Sequence, residues 1–89
     1  VATSLGVFLF LIPTITLILL VIFMLIVYFT RYISLGSITA AFLLPIFTIF
    51  SDKGSYLFVL SLIIGIFVIY RHRSNISRLL SGTESKFKF

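Results

Sequence analysis

The sequence predicts an all-α fold, a polytopic integral membrane helical bundle that is a fragment of a longer protein. Of its 89 residues, 61% are hydrophobic and 10% are charged, and the mean hydropathy is +1.31. Soluble domains carry about a quarter charged residues and cannot hide this much apolar side chain from water. The apolar stretches lack the alternating pattern of membrane β-strands, and backbone in lipid must pair its own polar groups. Each stretch is therefore predicted to be helical.

The first apolar stretch covers residues 5–29 and contains Pro13. Hydropathy alone favours one span, whereas a break at Pro13 gives a short helix over about 2–11 and a longer one over about 13–30. Proline suits a first helical turn and kinks a helix interior. The cations do not choose between three and four crossings, because Arg31 and Lys53 take the same sides in both.

Two further helices are predicted, over about residues 35–50 and 56–71, with a polar turn between them. Residues 72–89 form a tail, in which residues 71–80 can continue the last helix as an amphipathic segment. Gly82 is suited to end this helix, because glycine readily adopts the left-handed C-terminal conformation. Such a segment commonly anchors a span to lipid headgroups.

The charge distribution indicates which side of the membrane the tail occupies. The net charge is +5, and the last nineteen residues hold five cations and one acid. Cations beside a hydrophobic span are typical of the cytoplasmic side of a membrane, so no nucleic acid partner is predicted. The sequence has no cysteine, one histidine and two acids, and hence we expect no metal site and no cofactor.

Three segments resemble one enzyme family. Residues 70–84 read YRHRSNISRLLSGTE, residues 31–38 read RYISLGSI and residues 1–3 read VAT. The first closely resembles the C-terminal motif of the acyl-phosphate-dependent glycerol-3-phosphate acyltransferases, the PlsY family. The second is similar to that family's Arg-Tyr-Val-Ser-Leu-Ala-Ser-Ile, from which Ile33 and Gly36 depart. The third looks like the residues that follow the family's Gly-Gly-Lys-Gly phosphate loop.

The resemblance covers the whole chain but about half of the family's length. The phosphate loop and an earlier Ser/Asn/Arg motif are absent, which implies that the fragment alone is inactive and needs the N-terminal half of the same protein as its partner. The family's motifs face the cytoplasm, so Val1 and the tail are expected on one side of a bacterial inner (plasma) membrane. An even number of crossings then requires the break at Pro13 and four helical legs.

The resemblance also implies the chemistry. The family transfers a fatty acyl group from acyl phosphate to the 1-hydroxyl of sn-glycerol 3-phosphate, giving lysophosphatidic acid for phospholipid biosynthesis. Acyl phosphate is already activated, so the site must position two anions and accept a hydroxyl proton. His72 and Asn75 are the family's catalytic pair in this motif. His72 can take the proton or bind phosphate, or a substrate phosphate can serve as the base.

Ser37 and the two arginines have two interpretations each, and Thr3 and Glu84 have one. Ser37 matches a position near the substrate, where it can bind phosphate, or it is a small residue at a helix contact. Arg71 and Arg73 can bind phosphate or anchor the chain at the interface. Thr3 can complete the phosphate loop, and Glu84 matches a structural position that pairs with an arginine.

A second hypothesis treats the chain as a non-catalytic small membrane subunit or helical bundle peptide. The reading frame upstream of Val1 discriminates between the two. A Gly-Gly-Lys-Gly there establishes the enzyme, and a start codon without that loop favours the subunit.

Overall fold

The computed structural model describes residues 2–51 and 55–87, and these ranges contain helices and no strand. The all-α prediction is confirmed for them. Part of the predicted polar turn, residues 52–54 with Lys53, lies outside the described residues. The helices are α1 (Ala2–Leu11), α2 (Pro13–Thr30), α3 (Ile33–Ile49), α4 (Ser55–Arg71) and α5 (Arg73–Ser81).

The first apolar stretch is broken one residue before Pro13. Ile12 leaves helical geometry at φ −140° and ψ 69°, and Pro13 occupies the first turn of α2, where its missing N–H removes no helical bond. The buried hydroxyl of Thr16 lies 2.9 Å from the carbonyl oxygens of both Phe8 and Ile12 and can donate to either. The hydroxyl of Thr16, although buried beside the break, is therefore hydrogen-bonded.

Helix α1 folds back beside α2. Leu5 and Phe23 line the same cavity of about 170 Å³, together with Ser37 on α3. In one straight helix, eighteen residues would separate Leu5 from Phe23 by about 27 Å. Buried apolar side chains from four helices and from the break pack into one cluster: Phe8, Ile12, Leu19, Leu44 and Leu57.

The outer faces of the helices are apolar. Phe10, Phe29 and Phe42 are 86%, 77% and 61% exposed. Soluble monomers rarely leave so much large apolar side chain in water, and lipid is the solvent that suits it. Within the described ranges, α2 alone meets the length and hydropathy of a span, with 18 residues and a mean hydropathy of 2.5. Helix α3 is one residue shorter, and α4 qualifies together with α5 as a span bent by 57°.

Helices α3 and α4 pack closely at Gly65. Pro45 lies inside α3 and has no N–H to donate to the carbonyl of Ala41, four residues earlier. Gly65 packs against that carbonyl, where a Cβ atom would lie only 2.7 Å from the oxygen. The absence of a side chain lets the two backbones approach, as small residues commonly do in membrane bundles. This contact sets the position of α4 along α3, and the C-terminal end of α4 leads into the candidate site.

Candidate active site

The chain turns sharply at His72, between α4 and α5. The two helices are bent by 57°, and the backbone N–H of His72 lies 3.0 Å from the carbonyl of Val68 and 3.1 Å from that of Ile69. His72 itself has φ −102° and ψ 17°, so residues 71–80 do not continue α4 as the sequence pattern allows. His72 instead precedes α5, and Asn75 lies in its first turn.

The ring of His72 is held in one orientation. Its Nδ1 lies 2.8 Å from the carbonyl oxygen of Val68. A carbonyl oxygen can only accept, so Nδ1 must carry the hydrogen in this bond. In the neutral ring, Nε2 then has a lone pair and can accept a proton or a hydrogen bond. The backbone of α4 therefore selects the tautomer that a general base requires.

Glu84 gathers donors from three parts of the chain. Its Oε2 accepts from Nδ2 of Asn75 at 2.6 Å and from the hydroxyl of Ser34 at 2.8 Å. Its Oε1 accepts from Nε of Arg78 at 2.9 Å and from the backbone N–H of Ser85 at 3.1 Å. The Asn75 amide, then Arg78 and Ser34, lower the pKa of Glu84 from 4.5 to about 2. Glu84 is thus a carboxylate at any physiological pH.

The end of α5 returns the tail to the bundle. Gly82 adopts the left-handed conformation at φ 77°, as its position after the helix leads one to expect. The N–H of Thr83 donates to the carbonyl of Arg78 at 2.8 Å, which closes the last turn. The side chain of Arg78 is 47% exposed, whereas that of Glu84 is 5% exposed. The turn therefore directs Glu84 inward.

Residues 84–87 run antiparallel to residues 31–34, which comprise the connection between α2 and α3 and the first two residues of α3. The connection is tight, because Arg31 takes the left-handed conformation at φ 63°. Such a conformation is uncommon outside glycine, so the surrounding contacts must hold it. The paired residues are Ser34 with Glu84, Tyr32 with Lys86 (5.6 Å, ring centroid to Nζ) and Arg31 with Phe87 (2.6 Å, carbonyl oxygen to N).

The other predicted residues lie around this network. Ser37 is half-buried one turn after Ser34, and its hydroxyl has no partner among residues 2–51 and 55–87. Thr3 is exposed in the first turn of α1. Arg71 and Arg73 are exposed, and their guanidinium carbons lie 6.0 Å and 4.5 Å from the ring centroids of Phe67 and Tyr70, respectively. The structure thus brings Asn75 and Glu84 together, and it pairs the two arginines with aromatic rings.

Sequence reasoning missed Ser34 as a site residue. The residue lies in the quoted segment 31–38, three positions before Ser37, so both fall on one face of α3. That spacing was the available signal. Its partner Glu84 is 50 positions away in sequence, and no local pattern reports such a contact.

Comparison with known proteins agrees with the resemblance. The model of the glycerol-3-phosphate acyltransferase family matches residues 1–82. The chain belongs to that family. The glycerol-3-phosphate acyltransferase of Fusobacterium nucleatum is 79% identical over 89 residues, which are 100% of this chain and 46% of that protein. The enzyme of the same name from Syntrophomonas wolfei is 51% identical over 97% of this chain and 44% of its own length.

Two crystal structures share the fold. Both are of PlsY, an integral membrane glycerol 3-phosphate acyltransferase, one in its glycerol 3-phosphate form and one in its lysophosphatidic acid form. Their TM-scores are 0.94 and 0.92, with 38% and 37% identity over 99% and 98% of this chain. The integral membrane fold class is thereby confirmed. The chain spans less than half the length of these relatives, 44% of each PlsY chain.

Proposed function

We propose that the whole protein transfers a fatty acyl group from acyl phosphate to the 1-hydroxyl of sn-glycerol 3-phosphate, giving lysophosphatidic acid and inorganic phosphate. Family membership supports this reaction, and so do the two ligand forms in which the PlsY neighbours were solved. The observation that carries the proposal is the corner at His72. There, an imidazole with its Nε2 lone pair available precedes a carboxamide fixed by Glu84.

His72 acts as the proton acceptor in this proposal. The 1-hydroxyl oxygen attacks the acyl carbonyl carbon, and its proton passes to Nε2. The bond from that carbon to the phosphate oxygen breaks, and phosphate leaves with the electron pair. The proton on Nε2 then passes to the phosphate, which restores the neutral ring. The hydrogen bond to the carbonyl of Val68 supports this role, because it leaves Nδ1 protonated throughout.

Asn75 binds a phosphate oxygen. One hydrogen of Nδ2 goes to Glu84, and the second remains available to an anion. A carboxylate near a phosphate would normally repel it. Here, the ion pair with Arg78 and the hydroxyl of Ser34 compensate the charge of Glu84. Glu84 can therefore hold the amide without driving the substrate away.

Ser37 and Thr3 serve as further phosphate ligands in the complete site. The hydroxyl of Ser37 has no partner among the described residues and lies one turn from Ser34. Arg71 and Arg73 contribute positive potential at the membrane surface, which attracts both anionic substrates. Two phosphate groups need more positive charge than this chain supplies. The N-terminal half of the protein, which is the proposed partner of this chain, provides the additional cations.

The protein is proposed to lie in the bacterial plasma membrane with its tail, residues 72–89, in the cytoplasm. The return of α1 beside α2 supports four legs with both ends on one side, because it places Leu5 near Ser37. The concentration of cations in the tail supports the cytoplasmic assignment of that side. Both substrates would then enter from the cytoplasm.

The test is acyl transfer by the whole protein in lipid vesicles. Phosphate release from acyl phosphate should depend on glycerol 3-phosphate, with lysophosphatidic acid as the second product. Asn75→Ala should lower kcat about 10- to 100-fold, because it removes a hydrogen bond to an anion worth about 1.5–3 kcal/mol. His72→Ala should lower kcat about 100- to 10,000-fold, because it removes the proton acceptor.

Ser77→Ala is the matched control, since Ser77 is exposed on α5 and should retain full activity. The pair is wrongly assigned if both alanine variants turn over like Ser77→Ala. If the wild-type protein forms no lysophosphatidic acid, the alternative of a non-catalytic membrane subunit is favoured.

A further inference from the structure

Helix α5 has no buried residue among its nine, and its Ile76 and Leu79 are only half-buried beside α3 and α4, so packing alone holds its position weakly. Its attachments are the corner at His72 on one side and the returning tail on the other. Asn75 lies on this helix, and its carboxamide is bonded to Glu84. Glu84 lies in the non-helical tail, and its ion pair with Arg78 ties it back only to α5 itself. Neither of these bonds joins Glu84 to the rest of the bundle.

Ser34 supplies that tie. Its hydroxyl donates to the same oxygen, Oε2 of Glu84, that accepts from Asn75. Ser34 belongs to the first turn of α3, whereas Asn75 belongs to the first turn of α5. One carboxylate oxygen therefore links α3 and α5 by hydrogen bonds, in addition to the packing of the two helices against each other. Ser37, the proposed phosphate ligand on α3, follows Ser34 by one turn.

We propose that Ser34 is a positioning residue for Asn75, acting through Glu84 and the antiparallel tail of residues 84–87 without touching substrate. This inference rests on the proposed function of Asn75. The hydroxyl holds Glu84 against α3, and Glu84 holds the NH2 group of Asn75. The carboxamide oxygen is kept away from the carboxylate, because two acceptors repel. The position of the Asn75 amide relative to α3, and hence to Ser37, is thereby set by hydrogen bonds as well as by packing.

The tail contacts support this assignment. Lys86 lies over the ring of Tyr32, and the N–H of Phe87 donates to the carbonyl of Arg31. With the bond from Ser34 to Glu84, three successive contacts hold residues 84–87 in register with residues 31–34. Of the three contacts, only the one from Ser34 involves Glu84, to which Asn75 is also bonded.

The experiment compares three variants of the whole protein in lipid vesicles. Ser34→Ala removes the hydroxyl, Ser34→Thr retains it, and Thr39→Val removes a hydroxyl that bonds only to the carbonyl of Leu35 within α3. The catalytic readout is kcat/KM for acyl transfer. The positional readout is the NMR signal pair of the Asn75 side-chain NH2, identified by its loss in Asn75→Asp.

Ser34→Ala should lower kcat/KM about tenfold and shift or broaden the Asn75 amide signals, because Glu84 loses a donor that fixes it. Ser34→Thr should restore both readouts, and Thr39→Val should leave both unchanged. If Ser34→Ala does not fold, Ser34→Cys replaces it and should give a smaller loss with a smaller shift, since a thiol is a weaker donor.

Equal behaviour of the Ser34 variants and Thr39→Val in both readouts would overturn the inference. The NMR readout separates this failure from that of the proposed function. If the wild-type protein transfers no acyl group, the proposed function fails, and the Asn75 signals still report whether Ser34 positions the amide.

Discussion

A methyl group at Gly65 should force α3 and α4 apart. The added Cβ would lie 2.7 Å from the carbonyl oxygen of Ala41 and 3.6 Å from its carbonyl carbon. Ordinary contact begins near 3.4 Å, so the backbones must separate locally by about 0.7 Å. The atom in the way is main chain, which cannot rotate aside as a side chain would.

The free energy follows from two opposing terms. Inserting a methyl group into a tight contact usually costs about 1–3 kcal/mol, and a rigid backbone neighbour places Gly65→Ala in the upper part of that range. Alanine gains about 1 kcal/mol over glycine within a helix. We therefore expect a net destabilisation of about 2 kcal/mol. Activity should fall as well, because Val68, one turn further along α4, holds the ring of His72.

The assay is unfolding of the whole protein in mixed micelles with increasing sodium dodecyl sulfate, followed by circular dichroism. Gly6→Ala is the matched control, since nothing lies within 4 Å of a Cβ atom at that position on α1. It should leave stability unchanged or raise it by up to about 1 kcal/mol. If Gly65→Ala unfolds at the same detergent fraction as Gly6→Ala, the close contact of α3 with α4 is not what the structure indicates.

Three further predictions concern the tail, the topology and the missing half. The pKa of Glu84 is about 2 in the folded protein, against an ordinary value of 4.5. The contribution of Glu84 to stability is therefore present above pH 4.5 and is lost as the pH falls toward 2. Glu84→Gln should abolish this part of the pH dependence of unfolding. Cysteine labelling should place position 13 in the outer half of the bilayer and position 53 in an external loop. Labelling of position 53 from the cytoplasm would contradict a cytoplasmic tail, and labelling of position 1 from outside would exclude four legs. The 89 residues alone should transfer no acyl group. Co-expression with the N-terminal half should restore phosphate release that depends on glycerol 3-phosphate. Activity from the 89 residues by themselves would contradict the division of substrate ligands between the two halves.

Local patterns in the sequence were enough to predict an all-α fold class. A helix pairs all the backbone polar groups of a long apolar segment within that segment, as lipid requires. Gly82 is suited to the end of α5 because glycine adopts the left-handed conformation readily. The break at Pro13 needed the resemblance, because hydropathy favoured a single span. In the structure, α1 ends at Leu11 and α2 begins at Pro13.

The candidate site was only partly predictable. His72, Asn75 and Glu84 stand in one motif, so a resemblance could name them together. The corner at His72 was not predicted, since the amphipathic pattern of residues 71–80 also suits an unbroken helix. The bond from Ser34 to Glu84 joins residues 50 positions apart, and local propensity contains no information about such a pair.

The break between α1 and α2 has a consequence for how the protein is made. The ten described residues of α1 rise about 15 Å, half of the roughly 30 Å of hydrocarbon in a bilayer. A nascent helix of this length is too short to leave the translocon as an independent span. Helix α2 can do so, and α1 packs against it through Phe8 and Leu19. During synthesis, α1 must therefore wait for α2 to emerge from the ribosome, and the two should enter the lipid together as a hairpin.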